Sequence, residues 1–95
     1  MEFVSNEDFA EKYRIFLIDI ADISAKRWNQ SIRDVIKDIP SKNSIISDIA
    51  NYNTGYLRDE IVDIQQYCKK QYDNNDPKII DIIHKCDDIL DFLES

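Results

Sequence analysis

Residues 76–93 read DPKIIDIIHKCDDILDFL, and this stretch decides the fold class. Asp76 can cap a helix, and Pro77 stands at the first helical position, where its missing N–H donor costs nothing. Beyond them Ile79, Ile83, Cys86, Leu90 and Leu93 recur at spacings of four, three, four and three, with Phe92 beside the last. That alternation is the seam of a helix packed in a bundle.

Upstream, Leu57, Ile61, Ile64, Cys68 and Tyr72 form a second stripe on a helix that ends before Asp73, Asn74 and Asn75. Before it, Asn51 to Gly55 is the most turn-rich segment of the chain and predicts a loop or sharp bend. Ile45, Ile46, Ile49 and Ala50 predict a short helix, capped by Ser41 or Ser44 after the stop imposed by Pro40. The chain's start repeats the logic: Ser5 or Asn6 supplies a cap, Glu7 and Asp8 suit the positive end of a helix dipole, and Phe9, Tyr13, Phe16, Leu17, Ile20 and Ile23 make an apolar face. Trp28, Ile32, Val35, Ile36 and Ile39 continue it after a polar stretch at Ser24 to Arg27. No Gly or Pro interrupts Glu7 to Ile39, so either one long helix bends at Ser24 to Arg27 or two helices meet near Asn29 to Ser31; a break or kink is favoured, because an unsupported helix of that length would outreach so short a chain.

One Gly and two Pro in 95 residues leave little turn chemistry for strands, and 43% hydrophobic residues suffice for a core. The expected architecture is all-α: a single domain, 1–95, forming a compact antiparallel bundle of four helices, or five if the first long segment breaks.

A net charge of −7 opposes phosphate backbones and anionic lipid, so neither nucleic acid nor a membrane is expected as a partner. The best basic stripe, Lys26, Arg27, Arg33 and Lys37, is diluted by Asp22, Asp34 and Asp38. Glu2, Glu7 and Asp8 give the wrong charge for a signal peptide, and no apolar run approaches a membrane span, so the expected location is the cytoplasm. Cys68 and Cys86 are too few for a disulfide framework and lie on apolar stripes, which makes both core residues.

Catalytic chemistry finds no anchor. Asp81 and His84 stand at i, i+3 with Asp88 one turn on, but a metal-binding bundle needs more inward carboxylates and usually a second histidine. No nucleophile has a base and an orienting group, and Gly55 alone cannot cradle phosphate. No enzyme activity, metal or cofactor is expected.

The acids, in contrast, are unevenly placed. Asp76 to Ser95 holds six acids against two bases, or −4 of the total −7. Asp87, Asp88, Asp91 and Glu94 crowd a helix C-terminus, where the dipole disfavours negative charge by about 0.3 to 1 kcal/mol per group. Such a patch complements a basic surface. Of the aromatics least firmly tied to the stripes (Trp28, Tyr52, Tyr56, Tyr67), Tyr52 and Tyr56 flank the Asn51 to Gly55 turn and suit a contact surface. By elimination the favoured function is a small acidic protein-binding inhibitor that masks a basic surface of a partner such as a nuclease or toxin. Immunity proteins, antitoxins and anti-defence proteins are general classes of that kind. Its contact residues would be Tyr52, Tyr56, Asp87, Asp88, Asp91 and Glu94. The alternative is an assembly module that homo-oligomerises through surplus apolar faces carrying Ile15, Ile18, Ile82 and Ile89.

Overall fold

The computed structural model describes residues 5–72 and 75–94. It is all-α: among the described residues there are six helices and no strand. Asp73 and Asn74, read above as part of the link before the last helix, lie outside the described residues. The fold divides into two compact units, Met1–Asn53 and Thr54–Ser95.

In the first unit, α1 (Asn6–Asp19) begins where the Ser5 hydroxyl accepts the Asp8 N–H at 3.1 Å, with Glu7 and Asp8 in the first turn. It buries Phe9, Ala10, Tyr13, Phe16 and Leu17, and the Phe9 and Tyr13 rings stack at 5.5 Å. α2 (Ala21–Trp28) follows after one non-helical residue, Ile20, at φ −101° and ψ 13°. The hydrogen-bond ladder runs on through this interruption, from Ile20 N–H to the Phe16 carbonyl and from Ser24 N–H to the Ile20 carbonyl.

Of the two alternatives, a bend at Ser24 to Arg27 or a junction near Asn29 to Ser31, the chain takes the second. Asn29 turns left-handed at φ 54°, its N–H goes to the Lys26 carbonyl, and the Gln30 N–H goes to the Ala25 carbonyl. These two bonds close a Schellman motif, and asparagine tolerates the left-handed region better than most side chains. Ser31 then caps α3 (Ile32–Lys37). Two interruptions instead of one account for the count of six helices where four or five were expected. α2 and α3 join through Ala21, Ala25 and Val35, with Trp28 packed against them. The stripe predicted across this region is only partly correct: Ile32 and Ile36 are exposed, because a six-residue helix buries one narrow face, here that of Val35.

Pro40 ends this segment as expected, and Ser41 caps α4 (Lys42–Ala50) through the Ser44 N–H. α4 packs on α1. Two side chains fix the joint: Arg14 Nε donates to the Pro40 carbonyl at 2.8 Å, and Lys42 Nζ meets Glu7 at 3.0 Å. That hydrogen bond raises the Lys42 pKa above its ordinary value.

The second unit is a helical hairpin of α5 (Gly55–Gln71) and α6 (Pro77–Glu94). The Asp76 carboxylate accepts the Lys78 N–H at 2.9 Å, so the helix starts where DP places it. α5 buries Leu57, Ile61, Ile64 and Cys68 as its stripe requires. α6 buries Ile79, Cys86 and Ile89, while Ile83, Leu90 and Leu93 are half-buried. The placement of Ile89 off the seam is therefore corrected: it is 1% exposed and part of the core.

Candidate interaction surface

Three hydrogen bonds set the register of the hairpin. Arg58 Nε donates to Glu94 at 2.7 Å, and Gln65 Nε2 donates to Asp87 at 2.8 Å and to the Ile83 carbonyl at 3.0 Å. Residue 58 beside 94 and residue 65 beside 87 mean that α5 and α6 run antiparallel. The first half of α5 thus lies against the last half of α6.

The register brings together two acidic segments that are far apart in sequence. Residues 55–63 contribute Asp59, Glu60 and Asp63 with Arg58, and residues 86–94 contribute Asp87, Asp88, Asp91 and Glu94. Seven acids against one base give this end a net charge of −6. The other half of the two helices, residues 64–72 and 77–85, holds four lysines (Lys69, Lys70, Lys78, Lys85) against one acid, Asp81, so the hairpin is polarised along its length.

The four predicted acids do not play one role. Glu94 pairs with Arg58, whose pKa is raised by that hydrogen bond and charge. Asp87 is held by Gln65, a side chain only 5% exposed. Asp88 and Asp91 are exposed and make no ion pair among the described residues, so their charges face solvent uncompensated. The sequence reading missed Arg58 and Gln65. Gln65 could have been noticed as a polar residue beside Ile64 on an apolar stripe, whereas Arg58 is identifiable only once the helix pairing is known.

Tyr56, 52% exposed, stands two residues before Arg58 and so at the acidic end of the hairpin. Tyr52 belongs to the first unit, where it ends α4. Its N–H goes to the Ile49 carbonyl and that of Asn53 to the Asp48 carbonyl at 2.7 Å, a second Schellman motif. Here the left-handed position, φ 59°, which favours glycine, carries a tyrosine that is 92% exposed.

Elsewhere several polar side chains are engaged by neighbours. Asp81 pairs with Lys85 at 3.0 Å and Lys26 with Asp22 at 3.3 Å, while the Arg27 guanidinium lies 4.0 Å from the centre of the Trp28 ring. Cys68 and Cys86 are free and buried; burial raises both thiols, and Cys86 is pushed up to about 12, with the proximity of Cys68 and Asp87 adding to the effect. Such thiols stay protonated near neutral pH, the unreactive form. Among the described residues no group of three or more His, Cys, Asp or Glu is placed to hold a metal ion, and no helix is long and apolar enough to cross a membrane.

Comparison with known proteins gives no matching family model, no matching curated protein and no matching solved structure.

Proposed function

We propose that this chain is a protein-binding inhibitor of the immunity-protein, antitoxin or anti-defence kind, acting in the cytoplasm by covering a basic surface of a partner such as a nuclease. The observation that carries the reading is the acidic end of the α5–α6 hairpin, where eighteen residues hold a net charge of −6 beside the exposed Tyr56. Asp88 and Asp91 supply the open field that steers a basic partner, while Asp87 and Glu94, held by Gln65 and Arg58, offer carboxylates in fixed positions. Tyr56 supplies aromatic contact area beside these acids, whereas Tyr52, the other aromatic expected at the contact, belongs to the first unit. Neither nucleic acid nor a membrane is expected to bind directly, because both repel this charge.

The test compares the tagged chain with its Asp88→Lys, Asp91→Lys variant as bait in host lysate at low and moderate salt. A basic partner held by the parent chain, lost to the variant and to salt, and inhibited when the purified chain is added back, supports the reading. Retention unaffected by salt and by the charge reversal refutes it. A second reading, homo-oligomerisation through apolar helix faces, is favoured by Ile15 and Ile18, which are 52% and 44% exposed on α1. The burial of Ile89 removes part of the face it was to use on α6.

A further inference from the structure

Cys68 and Cys86 are the only cysteines of the chain, and both lie fully buried in the α5–α6 hairpin. Their neighbours along that seam are larger apolar side chains, Leu57, Ile61 and Ile64 on α5 and Ile79 and Ile89 on α6. Two small thiols in one seam of an isoleucine-rich chain bury less apolar area than those residues do, so packing alone does not account for the pair.

The register of the hairpin sets the two opposite each other. The bonded pairs Arg58–Glu94 and Gln65–Asp87 share one alignment, which puts His84 level with Cys68 and leaves Cys86 two residues, about 3 Å, from that level. A helical side chain leans towards the N-terminus of its own helix, and in this antiparallel pair that brings the two thiols towards each other. Helix axes about 8–10 Å apart, with Cα atoms about 2.3 Å from each axis, bring inward-facing Cα atoms at this offset within about 4.5–6 Å, and a disulfide spans about 4.4–6.8 Å. After burial, Cys68 is the next cause of the raised Cys86 pKa, as a close neighbour should be.

We propose that Cys68 and Cys86 form a dithiol site that closes to a disulfide across the hairpin seam when the chain folds, or its hairpin reopens, in the presence of a low-molecular-weight disulfide. One cysteine thiolate attacks the small disulfide, expels one of its halves as a thiol and leaves a mixed disulfide on the protein. The second thiolate attacks the protein sulfur of that bond and expels the other half. The S–S bond passes to the protein, two electrons pass to the small molecule, and the two cysteine protons end on the two released thiols. Burial keeps both thiols covered and protonated in the folded chain, so exchange runs through the open hairpin. The site thus records the redox state in which the hairpin formed and, once closed, fixes the register that sets residues 55–63 beside 86–94. This is a property of the hairpin and does not rest on the inhibitor reading.

The test refolds the reduced, urea-unfolded full chain in a buffer of oxidised and reduced glutathione at pH 8. The expected product is a monomer lighter by two hydrogen atoms, with Cys68 and Cys86 in one cross-linked peptide pair and circular dichroism unchanged. Its urea midpoint should lie higher by about 1 M or more. Cys68→Ala and Cys86→Ala should each lack the internal bond and show no rise in midpoint in the oxidising buffer. Folded, reduced chain held in the same buffer without urea should stay a dithiol over the same time. Free thiols, glutathione adducts or cross-linked dimers in place of the internal bond overturn the proposal, as does a cross-linked chain less stable than the reduced one. Closure as fast in the folded chain as in the refolding one overturns the gating by burial.

Discussion

Replacing Tyr52 with glycine should stabilise this protein, although it deletes a large aromatic side chain. Tyr52 sits at φ 59° in the Schellman turn that ends α4, and its ring is 92% exposed. Holding an ordinary L-residue in the left-handed region costs about 1–2 kcal/mol, which glycine avoids. Glycine in turn loses more conformational entropy on folding, about 0.4–1 kcal/mol. The little contact area the ring makes is worth no more than about 0.3 kcal/mol. The balance favours glycine by about 0.5 kcal/mol, with about 1.5 kcal/mol as an upper bound. In urea the unfolding midpoint should rise by about 0.3–0.5 M at an unchanged slope, measured below the concentration at which copies associate. Asn29→Gly is the internal control: the geometry is the same, φ 54°, but asparagine already tolerates it, so the midpoint should scarcely move. A lower midpoint for Tyr52→Gly, or equal shifts for the two variants, would refute the argument that Tyr52 is retained against the interest of stability.

Gln65→Ala should destabilise the chain by about 1–3 kcal/mol, because it removes the buried amide that bridges the Ile83 carbonyl and Asp87; urea unfolding measures the loss. The effect should fall on the register of the hairpin, so circular dichroism should show helices retained with a less cooperative transition. The thiol of Cys86 should be unreactive towards an aromatic disulfide reagent at pH 8 in the folded protein and react at once in denaturant. Its folded pKa of about 12 lies above the ordinary thiol value of 9.0, so the fold favours the protonated form. That stability is fully present below pH 9 and is lost as pH rises from 9 through about 12, which a series of thermal melts should show. Rapid modification at pH 8 without unfolding would contradict the burial.

The sequence declared helix boundaries well wherever a side chain acts on its own backbone. Ser5, Ser41 and Asp76 each accept an N–H two or three residues on, and Pro40 stops a helix whatever surrounds it. Boundaries and faces that depend on tertiary contacts were hidden. The interruption at Ile20 lies in an unbroken apolar stripe with no Gly or Pro, so nothing local announces it. In α6 the adjacent pairs Ile82–Ile83 and Ile89–Leu90 allow the seam to shift by one position. Contact with α5, whose Gln65 bridges Ile83 and Asp87, settles the outcome: Ile82 and Ile83 share the boundary, both half-buried, and Ile89 is buried in preference to Leu90. Ile32 and Ile36 continue a good helical pattern yet remain exposed, because periodicity says which residues share a face but not whether that face meets a partner.

The candidate surface was half legible for the same reason. A count along the chain finds the acids of α6 but gives no weight to Asp59, Glu60 and Asp63, which become their neighbours only through antiparallel pairing. The pairing also changes the energetics. Acids at the C-terminal end of α6 oppose its dipole, but the same register lays the positive N-terminal end of α5 alongside them and supplies Arg58 to Glu94. The fold therefore tolerates the crowding without cancelling it, since one arginine stands against seven acids. Lys69, Lys70, Lys78 and Lys85 lie on the other half of the hairpin, where Lys85 is paired with Asp81. Interleaving those charges would stabilise the hairpin more. A chain that segregates them departs from what stability alone requires at this surface, and that is the surface to which binding is assigned.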